Sequence, residues 1–206
     1  MLRTPFFYVT TVIAAIILIA LAGCLGRSKP ARFYTLTSIS EGMITQKGDN
    51  QASKIAIGIG PIKLADYLVQ SRIITRTSDN MIKQAEFDQW NGNLRDNLTN
   101  VLAENIGHLL GTGQIYIYPW RTYIPIDYQV IVDIVRLDGQ PGKEVVLIAR
   151  WSVLTGEENN LITTRRSDIR EKTATNGYNA FVAAQSRALG RLSKDVVEVI
   201  HSAAKN

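Results

Sequence analysis

The chain has 206 residues and a formal net charge of +5 at pH 7, from 23 lysine and arginine residues against 18 aspartate and glutamate residues. That length suits one domain with an ample core, and so small a basic excess points to no particular class of partner. A single cysteine and two histidines exclude a disulfide framework and a cysteine-pair zinc site.

The amino terminus has the layout of a secretory signal. Arg3 precedes an apolar run over residues 5–22, and the run leads into Leu21-Ala22-Gly23-Cys24, which contains the only cysteine. A basic start, a short apolar middle and small residues before a cut are typical of such signals. The four residues resemble a lipobox, the processing site of bacterial lipoproteins. The resemblance implies diacylglyceryl transfer to the sulfur of Cys24, cleavage after Gly23, and acylation of the new amino terminus by a fatty acid such as palmitate.

Two other interpretations of this segment stay open. The run of 18 residues over 5–22 is at the lower limit for an uncleaved transmembrane anchor, and an ordinary cleaved signal would leave a free thiol. We favour the lipoprotein because the small residues and the sole cysteine coincide. The chain is then divided into a signal peptide, 1–23, a lipidated tether, 24–30, and a domain, 31–206. Leu25, where an aspartate would imply inner-membrane retention, implies outer-membrane sorting by resemblance to lipoprotein sorting signals.

The first half of the domain is rich in strand-forming residues separated by turn residues. A polar loop is expected over 38–53, and a connector over 62–70 that follows Gly60-Pro61. Although Gly58-Ile59-Gly60 suggests a phosphate loop, a proline follows it and no helix opens there, so the dinucleotide fingerprint is absent. The expected strands span residues 32–36, 54–59, 72–76, 81–86 and 114–118.

Two long segments have the period of amphipathic helices. The first begins at Phe87, with Asp88 as an early-turn or capping acid, and stops at Gly111. The second spans residues 176–203, with Thr175 or Asn176 as its cap.

Between these helices the sequence predicts a three-stranded antiparallel meander. Its strands cover residues 128–137, 145–154 and 161–170, with a turn at 138–142, and the third strand carries enough charge to suit a sheet edge. The prediction is an α/β single domain, in which a mixed β-sheet of five to seven strands, ending in the meander, packs against two amphipathic helices.

Catalytic motifs are missing from the sequence. His108 and His201 each lie near a predicted helix end, where a histidine is structurally favourable, and they do not have metal-ligand spacing. No Gly-x-Ser-x-Gly elbow occurs, and Glu157-Glu158 suits a solvated turn. We therefore expect no enzyme, cofactor or metal. Export sets nucleic acid aside as a partner.

Surfaces are then the best candidates for function. Residues 120–125 combine types that are favoured at interaction sites, although the aromatic rings there could equally cap the core. Two arginines on one face of the strand at 72–76 form a second candidate, for which solvated edge charges are the favoured alternative. The candidate partner-binding residues are Trp120, Arg121, Tyr123, Ile124, Arg72 and Arg76.

Several stretches, in their order after the lipobox, resemble one family. They are Arg32-Phe33-Tyr34-Thr35-Leu36, Gly60-Pro61-Ile62, Tyr67-Leu68, Arg72-Ile73-Ile74-Thr75-Arg76, Phe87 to Trp90 with Leu94, Pro119-Trp120, Asp127-Tyr128, Ala149-Arg150-Trp151, and residues 178–192. The chain is similar to the auxiliary lipoproteins of ABC-type intermembrane transport, of the PqiC/YmbA type, over about residues 31–200. Residues 64–68 depart slightly from the proline-containing version of the family.

The resemblance implies a periplasm-facing outer-membrane lipoprotein. It would be a non-enzymatic docking subunit that works with an MCE-domain protein, anchored in the inner membrane, in a lipid-transport system that maintains envelope integrity. The family also implies homo-oligomers and no cofactor, and phospholipid is a possible ligand. The alternatives are a lipid-binding carrier and a pilot lipoprotein that assembles a secretion pore.

Overall fold

The computed structural model describes residues 29–39, 55–156 and 158–205. Within these ranges it contains eight strands, two α-helices and a short 3₁₀ helix. The predicted signal segment, Gly23, Cys24, Leu25, Glu157 and most of the predicted loop at 38–53 lie outside the described residues. The described residues from Arg32 onward belong to one compact unit.

The described strands and helices are numbered in chain order. The strands are β1 (Arg32–Tyr34), β2 (Ile57–Leu64), β3 (Arg72–Ser78), β4 (Met81–Trp90), β5 (Ile115–Ile117), β6 (Tyr128–Gln140), β7 (Glu144–Thr155) and β8 (Leu161–Lys172), and the helices are α1 (Leu94–Leu110), α2 (Tyr178–Ala203) and the 3₁₀ helix Asp66–Leu68.

The strands form two mixed sheets. The small sheet has the order β1-β4-β3, with β1 parallel and β3 antiparallel to β4. The large sheet has the order β5-β2-β6-β7-β8, in which β2 is parallel to both its neighbours and β6, β7 and β8 form the antiparallel meander. The predicted mixed α/β single domain with a C-terminal meander is confirmed. Each of the eight segments expected to be extended contributes one described strand, but these strands are divided between two sheets, whereas one sheet of five to seven strands was expected.

Strand β2 continues through Gly60-Pro61, where the sequence predicted that it ends. Gly60 has φ +112°, and the register with β6 shifts between Ile59 and Ile62. An irregularity of this kind lets a proline, which has no N–H to donate, lie inside a strand. The predicted connector therefore begins only after Leu64.

Residues 87–90 extend β4 and do not begin the first helix, which corrects the predicted start at Phe87. Asp88 is consequently not a helix cap. Helix α1 is capped by Asn93, whose side-chain oxygen accepts from the Arg95 amide at 2.8 Å. The helix ends as predicted at Gly111, which has a left-handed φ of 68°.

The predicted meander is confirmed, and β8 lies at the sheet edge as expected. Strand β6 runs on to Gln140, so Asp138 lies inside a strand and not in the predicted turn. Helix α2 starts at Tyr178 after Gly177, with no side-chain cap. The predicted cap by Thr175 or Asn176 is therefore wrong, because the main chain at Gly177 takes the cap position.

The core lies between the helices and the large sheet. Helix α2 buries Phe181, Leu189, Leu192 and Ile200, and it contacts β6, β7 and β8. The buried indole of Trp151 on β7 donates to Ser167 at 3.0 Å, and Ser167 donates to Asp195 of α2 at 2.8 Å. This chain of hydrogen bonds satisfies the indole N–H and fixes α2 against the edge of the sheet.

Candidate partner-binding surfaces

Trp120 lies flat on the backbone of β2. A side-chain carbon added at Gly58 would lie 2.7 Å from Cη2 of this indole, so only glycine leaves room for the ring. The ring of Tyr118 meets the indole edge-on, with ring centroids 5.6 Å apart. Trp120 is thus half-buried over the start of β2.

Tyr123 points the other way and is 74% exposed. The Arg121 guanidinium donates to the Tyr123 hydroxyl at 3.0 Å and lies 6.0 Å from the ring centroid. Ile124 is half-buried, and its amide closes a turn onto the Arg121 carbonyl at 3.0 Å. Within residues 120–124, Trp120 and Ile124 are therefore half-buried, whereas residues 121–123 are exposed.

Two residues that the sequence did not single out extend this surface. Ile117, at the end of the edge strand β5, is 42% exposed, and Tyr118 is 52% exposed. They border a groove of about 370 Å³ between β2 and the first turns of α1. We call this the β5 groove; it is lined by Ile59, Gly60, Pro61, Ile62, Arg95, Asp96, Thr99, Asn100, Ile117 and Tyr118. No pattern in the sequence marks Ile117 and Tyr118, because the exposure of side chains at the end of an edge strand depends on where the sheet stops.

The two arginines of β3 have different environments. Arg72 is exposed, whereas Arg76 donates through Nε and Nη2 to the two oxygens of Asp138 at 2.9 and 2.7 Å. Arg136 adds a bond of 2.7 Å and the Tyr67 hydroxyl one of 2.9 Å. The Asp138 carboxylate is fully buried and therefore joins β3, the 3₁₀ helix and β6.

The hydrogen bonds set the charge state of this cluster. Burial acts to raise the pKa of Asp138, but the bonds from Arg76, Arg136 and Tyr67 outweigh it and the pKa lies below its usual value. Burial, with the nearby carboxylate, raises the pKa of Tyr67 to about 12. Asp138 is thus a stable anion and Tyr67 a stable donor, which is the behaviour of a structural clamp between the two sheets.

A second buried carboxylate holds β1 in place. Asp88 of β4 accepts two bonds of 2.8 Å from the Arg32 guanidinium and one of 2.7 Å from the Tyr34 hydroxyl. Burial, followed by the bond to Asp88, raises the pKa of Tyr34. The sequence prediction had assigned Asp88 to a helix start and so missed this anchor.

The residues after β1 cross both helices. The amides of Leu36 and Ile39 donate to the side-chain oxygens of Asn97 and Asn105 on α1, at 2.7 and 2.8 Å, and the amide of Thr37 donates to Ser186 on α2 at 3.1 Å. A side-chain carbon at Gly190 would come within 2.6 Å of Ile39, so Ile39 fits closely against α2. We call residues 32–39 the N-terminal strap. It fastens the segment after the predicted tether to the core.

The basic edge strand β8 carries exposed apolar residues at its start. Leu161 is 61% exposed and Ile162 is 38% exposed, beside a groove of about 440 Å³ against the end of α2. Further along, Arg170 pairs with Glu144 at 2.7 Å. Exposed charge of this kind discourages strand pairing at an edge.

Across residues 29–39, 55–156 and 158–205, no group of three or more histidine, cysteine, aspartate or glutamate side chains could hold a metal ion. In these ranges no helix has both the length and the apolar character needed to cross a membrane. His108 and His201 lie in the last turns of α1 and α2, as predicted.

Comparison with known proteins decides the family. A family model described as an ABC-type transport auxiliary lipoprotein component matches residues 34–197. The chain belongs to this family. The matched residues begin within the N-terminal strap and extend to the last turns of α2. A search among curated protein sequences found no relative.

Solved structures share the fold of this family member. An uncharacterized protein superposes with a TM-score of 0.68 at 17% identity, covering 84% of this chain and 99% of its own. A Xanthomonas campestris protein of family DUF330 superposes with a TM-score of 0.66 at 12% identity, covering 85% of this chain and 100% of its own. A PelC dodecamer from Paraburkholderia phytofirmans is more distant, with a TM-score of 0.39 at 9% identity over 76% of this chain and 93% of that one.

Proposed function

We propose that this protein is a periplasm-facing outer-membrane lipoprotein that serves as a non-enzymatic docking subunit of an MCE-type intermembrane lipid-transport system. The observation that carries the proposal is the family match over residues 34–197. It is supported by Leu21-Ala22-Gly23-Cys24, which resembles a lipoprotein processing site. The partner is an MCE-domain protein anchored in the inner membrane, and the assembly maintains envelope integrity.

The mechanism is positional. Each buried methylene of an acyl chain contributes about 0.8 kcal/mol, so two or three chains on Cys24 hold the protein firmly. The N-terminal strap then connects the anchor to the folded body, because Asp88 holds β1 and the side chains of Asn97 and Asn105 hold the residues that follow. A partner that grips the body is thereby held at a fixed place near the membrane.

The docking surface we favour is the β5 groove together with Arg121 and Tyr123. Tyrosine, arginine and exposed aliphatic residues beside a concave surface are favoured in protein interfaces. Trp120 supports this surface from beneath, since it is fixed on Gly58 of β2. Homo-oligomerisation, expected for the family, would present several copies of the groove to one partner.

A lipid-binding carrier is the alternative from another class. The grooves at β5 and at β8 are open to solvent and hold about 370 and 440 Å³, which favours docking over enclosure of a lipid. Native mass spectrometry of the acyl-free domain separates the two proposals, because only a carrier retains phospholipid during purification.

The decisive experiment removes the anchor without removing the domain. Residues 1–23 are replaced with an ordinary cleavable signal and Cys24→Ser is introduced, so that the folded domain is secreted without acyl chains. We expect a soluble periplasmic protein that does not restore detergent resistance to a deletion strain. The control carries the same new signal followed by an intact lipobox. Full resistance from the soluble form would refute positional function.

Docking is tested by crosslinking in cells. A photoreactive residue at Tyr123 should capture the inner-membrane partner, whereas the same residue at Leu161, which is comparably exposed on β8, should not. Equal capture at both positions would refute the assignment of the docking surface. Capture of an outer-membrane pore protein instead would favour a secretion pilot.

A further inference from the structure

Phe33, Gln89 and Arg72 form one row across the small sheet. Phe33 of β1 is paired with Gln89 of β4, and Gln89 is paired with Arg72 of β3. Paired residues in neighbouring strands project from the same face of a sheet. An aromatic ring and a guanidinium therefore share the outer face of the small sheet.

The opposite face of the same strands is turned inward. Asp88 and Trp90, which flank Gln89 on β4, are both buried, and Tyr34 packs near Tyr178 of α2 with ring centroids 6.4 Å apart. Phe33 is 63% exposed and Arg72 is exposed. Neither an ion pair nor a side-chain hydrogen bond joins Arg72 to another residue in the described ranges.

The tether limits where this face can lie. Phe33 is the ninth residue after Cys24, and a fully extended chain of that length spans at most about 32 Å. The interfacial layer of a bilayer takes up about 5–8 Å of that reach. A compact unit with as many residues as Arg32–Asn206 has a diameter of about 40 Å. An acylated Cys24 therefore cannot place β1 on the side of the domain that is far from the membrane.

We propose that the outer face of the small sheet, with Phe33 and Arg72 at its centre, rests on the headgroups of the membrane in which Cys24 is anchored. This inference depends on the proposed lipidation of Cys24. Phenylalanine is among the apolar residues that interfacial protein segments bury at the boundary between headgroups and acyl chains, and arginine binds lipid phosphates through its planar guanidinium. In the sequence, the predicted tether carries Arg27 and Lys29, and basic residues are attracted to anionic headgroups.

A lipid surface fits this face better than a protein partner does. Protein hot spots are centred on apolar clusters that exclude water, whereas Phe33 is one exposed ring flanked by the half-buried amide of Gln89 and by Arg72. The edge strand β1 also leads directly into the tether. The contact would orient the domain, with the strap at the membrane and the remaining surfaces available to a partner.

The test uses the sole cysteine. Once Cys24 is acylated, Phe33→Cys introduces the only free thiol, which is labelled with an environment-sensitive fluorophore. The acylated protein is placed in vesicles of phosphatidylethanolamine and phosphatidylglycerol that contain headgroup-level nitroxide lipid. The controls are Tyr123→Cys and Leu161→Cys, because these residues are as exposed as Phe33, at 74% and 61% against 63%.

We expect quenching of the label at position 33 to exceed that at either control by at least about twofold. Arg72→Glu, made in the Phe33→Cys background, should reduce this quenching in anionic vesicles, and circular dichroism confirms that each variant is folded.

Equal quenching at all three positions, with the mass of the peptide confirming acylated Cys24, overturns the membrane contact and leaves the anchor intact. A label shielded from both aqueous iodide and nitroxide lipid also overturns it, since a protein then covers the face. A bare thiol at Cys24 in the native protein overturns the proposed function itself.

Discussion

Arg76 and Asp138, 62 positions apart in the sequence, are joined by two hydrogen bonds of 2.9 and 2.7 Å. Because Arg76 lies in the small sheet and Asp138 in the large one, this pair ties the two sheets together. Arg136 and Tyr67 complete the coordination of the carboxylate. The stability of the domain should therefore depend on this one buried anion.

Asp138→Asn should destabilise the domain by about 3 kcal/mol, because two guanidinium groups lose their buried counterion. The measurement is the free energy of unfolding from urea titration at pH 7. The matched control is Asp168→Asn, whose side chain is 42% exposed and whose loss should cost less than about 0.5 kcal/mol. Equal losses for the two variants would refute the clamp.

The clamp should also make the free energy of unfolding depend on pH. Burial opposes ionisation of Asp138, yet its hydrogen bonds keep its pKa below the usual value of 3.8. A lowered pKa gives stability that is fully present above 3.8 and is lost as the pH falls through the folded-state value. The difference in unfolding free energy between wild type and Asp138→Asn should be constant from pH 7 to about pH 5 and should shrink below about pH 4. A difference that does not change with pH would contradict this.

The Tyr67 hydroxyl should lose its proton only at high pH. Burial and the Asp138 charge raise its pKa from 10.0 to about 12, and a raised pKa gives stability that is present below 10.0 and is lost as the pH rises toward 12. Ultraviolet difference titration should show a late-ionising tyrosine that Tyr67→Phe removes. Tyr123→Phe serves as the control because its ring is 74% exposed. If the ionisation at high pH persists in Tyr67→Phe, it belongs to another tyrosine.

Gly58→Ala should displace Trp120, since the new methyl would meet the indole at 2.7 Å. We expect the docking affinity for the partner to fall about tenfold, as on loss of support for an interface residue, together with a change in tryptophan fluorescence. The control is Gly113→Ala, because a side-chain carbon there meets no atom within 4 Å. If the affinity of Gly58→Ala for the partner is unchanged, the position of Trp120 does not affect docking.

Asn105→Ala should loosen the N-terminal strap by leaving the Ile39 amide without its acceptor, which costs about 1–3 kcal/mol for a buried group. Hydrogen exchange should accelerate at Ile39 while the β6 and β7 amides keep their protection. Uniform acceleration across the domain would show global destabilisation and not a local strap.

The sequence predicted those elements whose signals are local. The meander, the stop of α1 at Gly111 and the charged edge strand β8 follow from alternation, a left-handed glycine and charge. Asp88 and Asp138 were misplaced because their partners are distant: Arg32 lies 56 residues from Asp88, and Arg76 lies 62 residues from Asp138. The apolar spacing after Phe87 suits a helix. In the structure, however, residues 87–90 belong to β4, and residues 88–90 pair with β1.

The candidate surfaces divide in the same way. Residue types identified the segment around Trp120, but only packing against Gly58 shows that Trp120 faces inward and Tyr123 outward. Ile117 and Tyr118 gave no signal, because exposure at the end of an edge strand depends on where the sheet stops. The strap was hidden for a further reason: its acceptors are polar residues inside helices, which the pattern alone would place on a solvated face.

The mass of the amino-terminal peptide of the native, membrane-extracted protein shows directly whether Cys24 is acylated. We expect a peptide that begins at Cys24 and carries a diacylglyceryl group on sulfur and an acyl chain on the amine. A peptide that still contains residues 1–23 with an unmodified thiol would contradict the anchor, and with it the docking role.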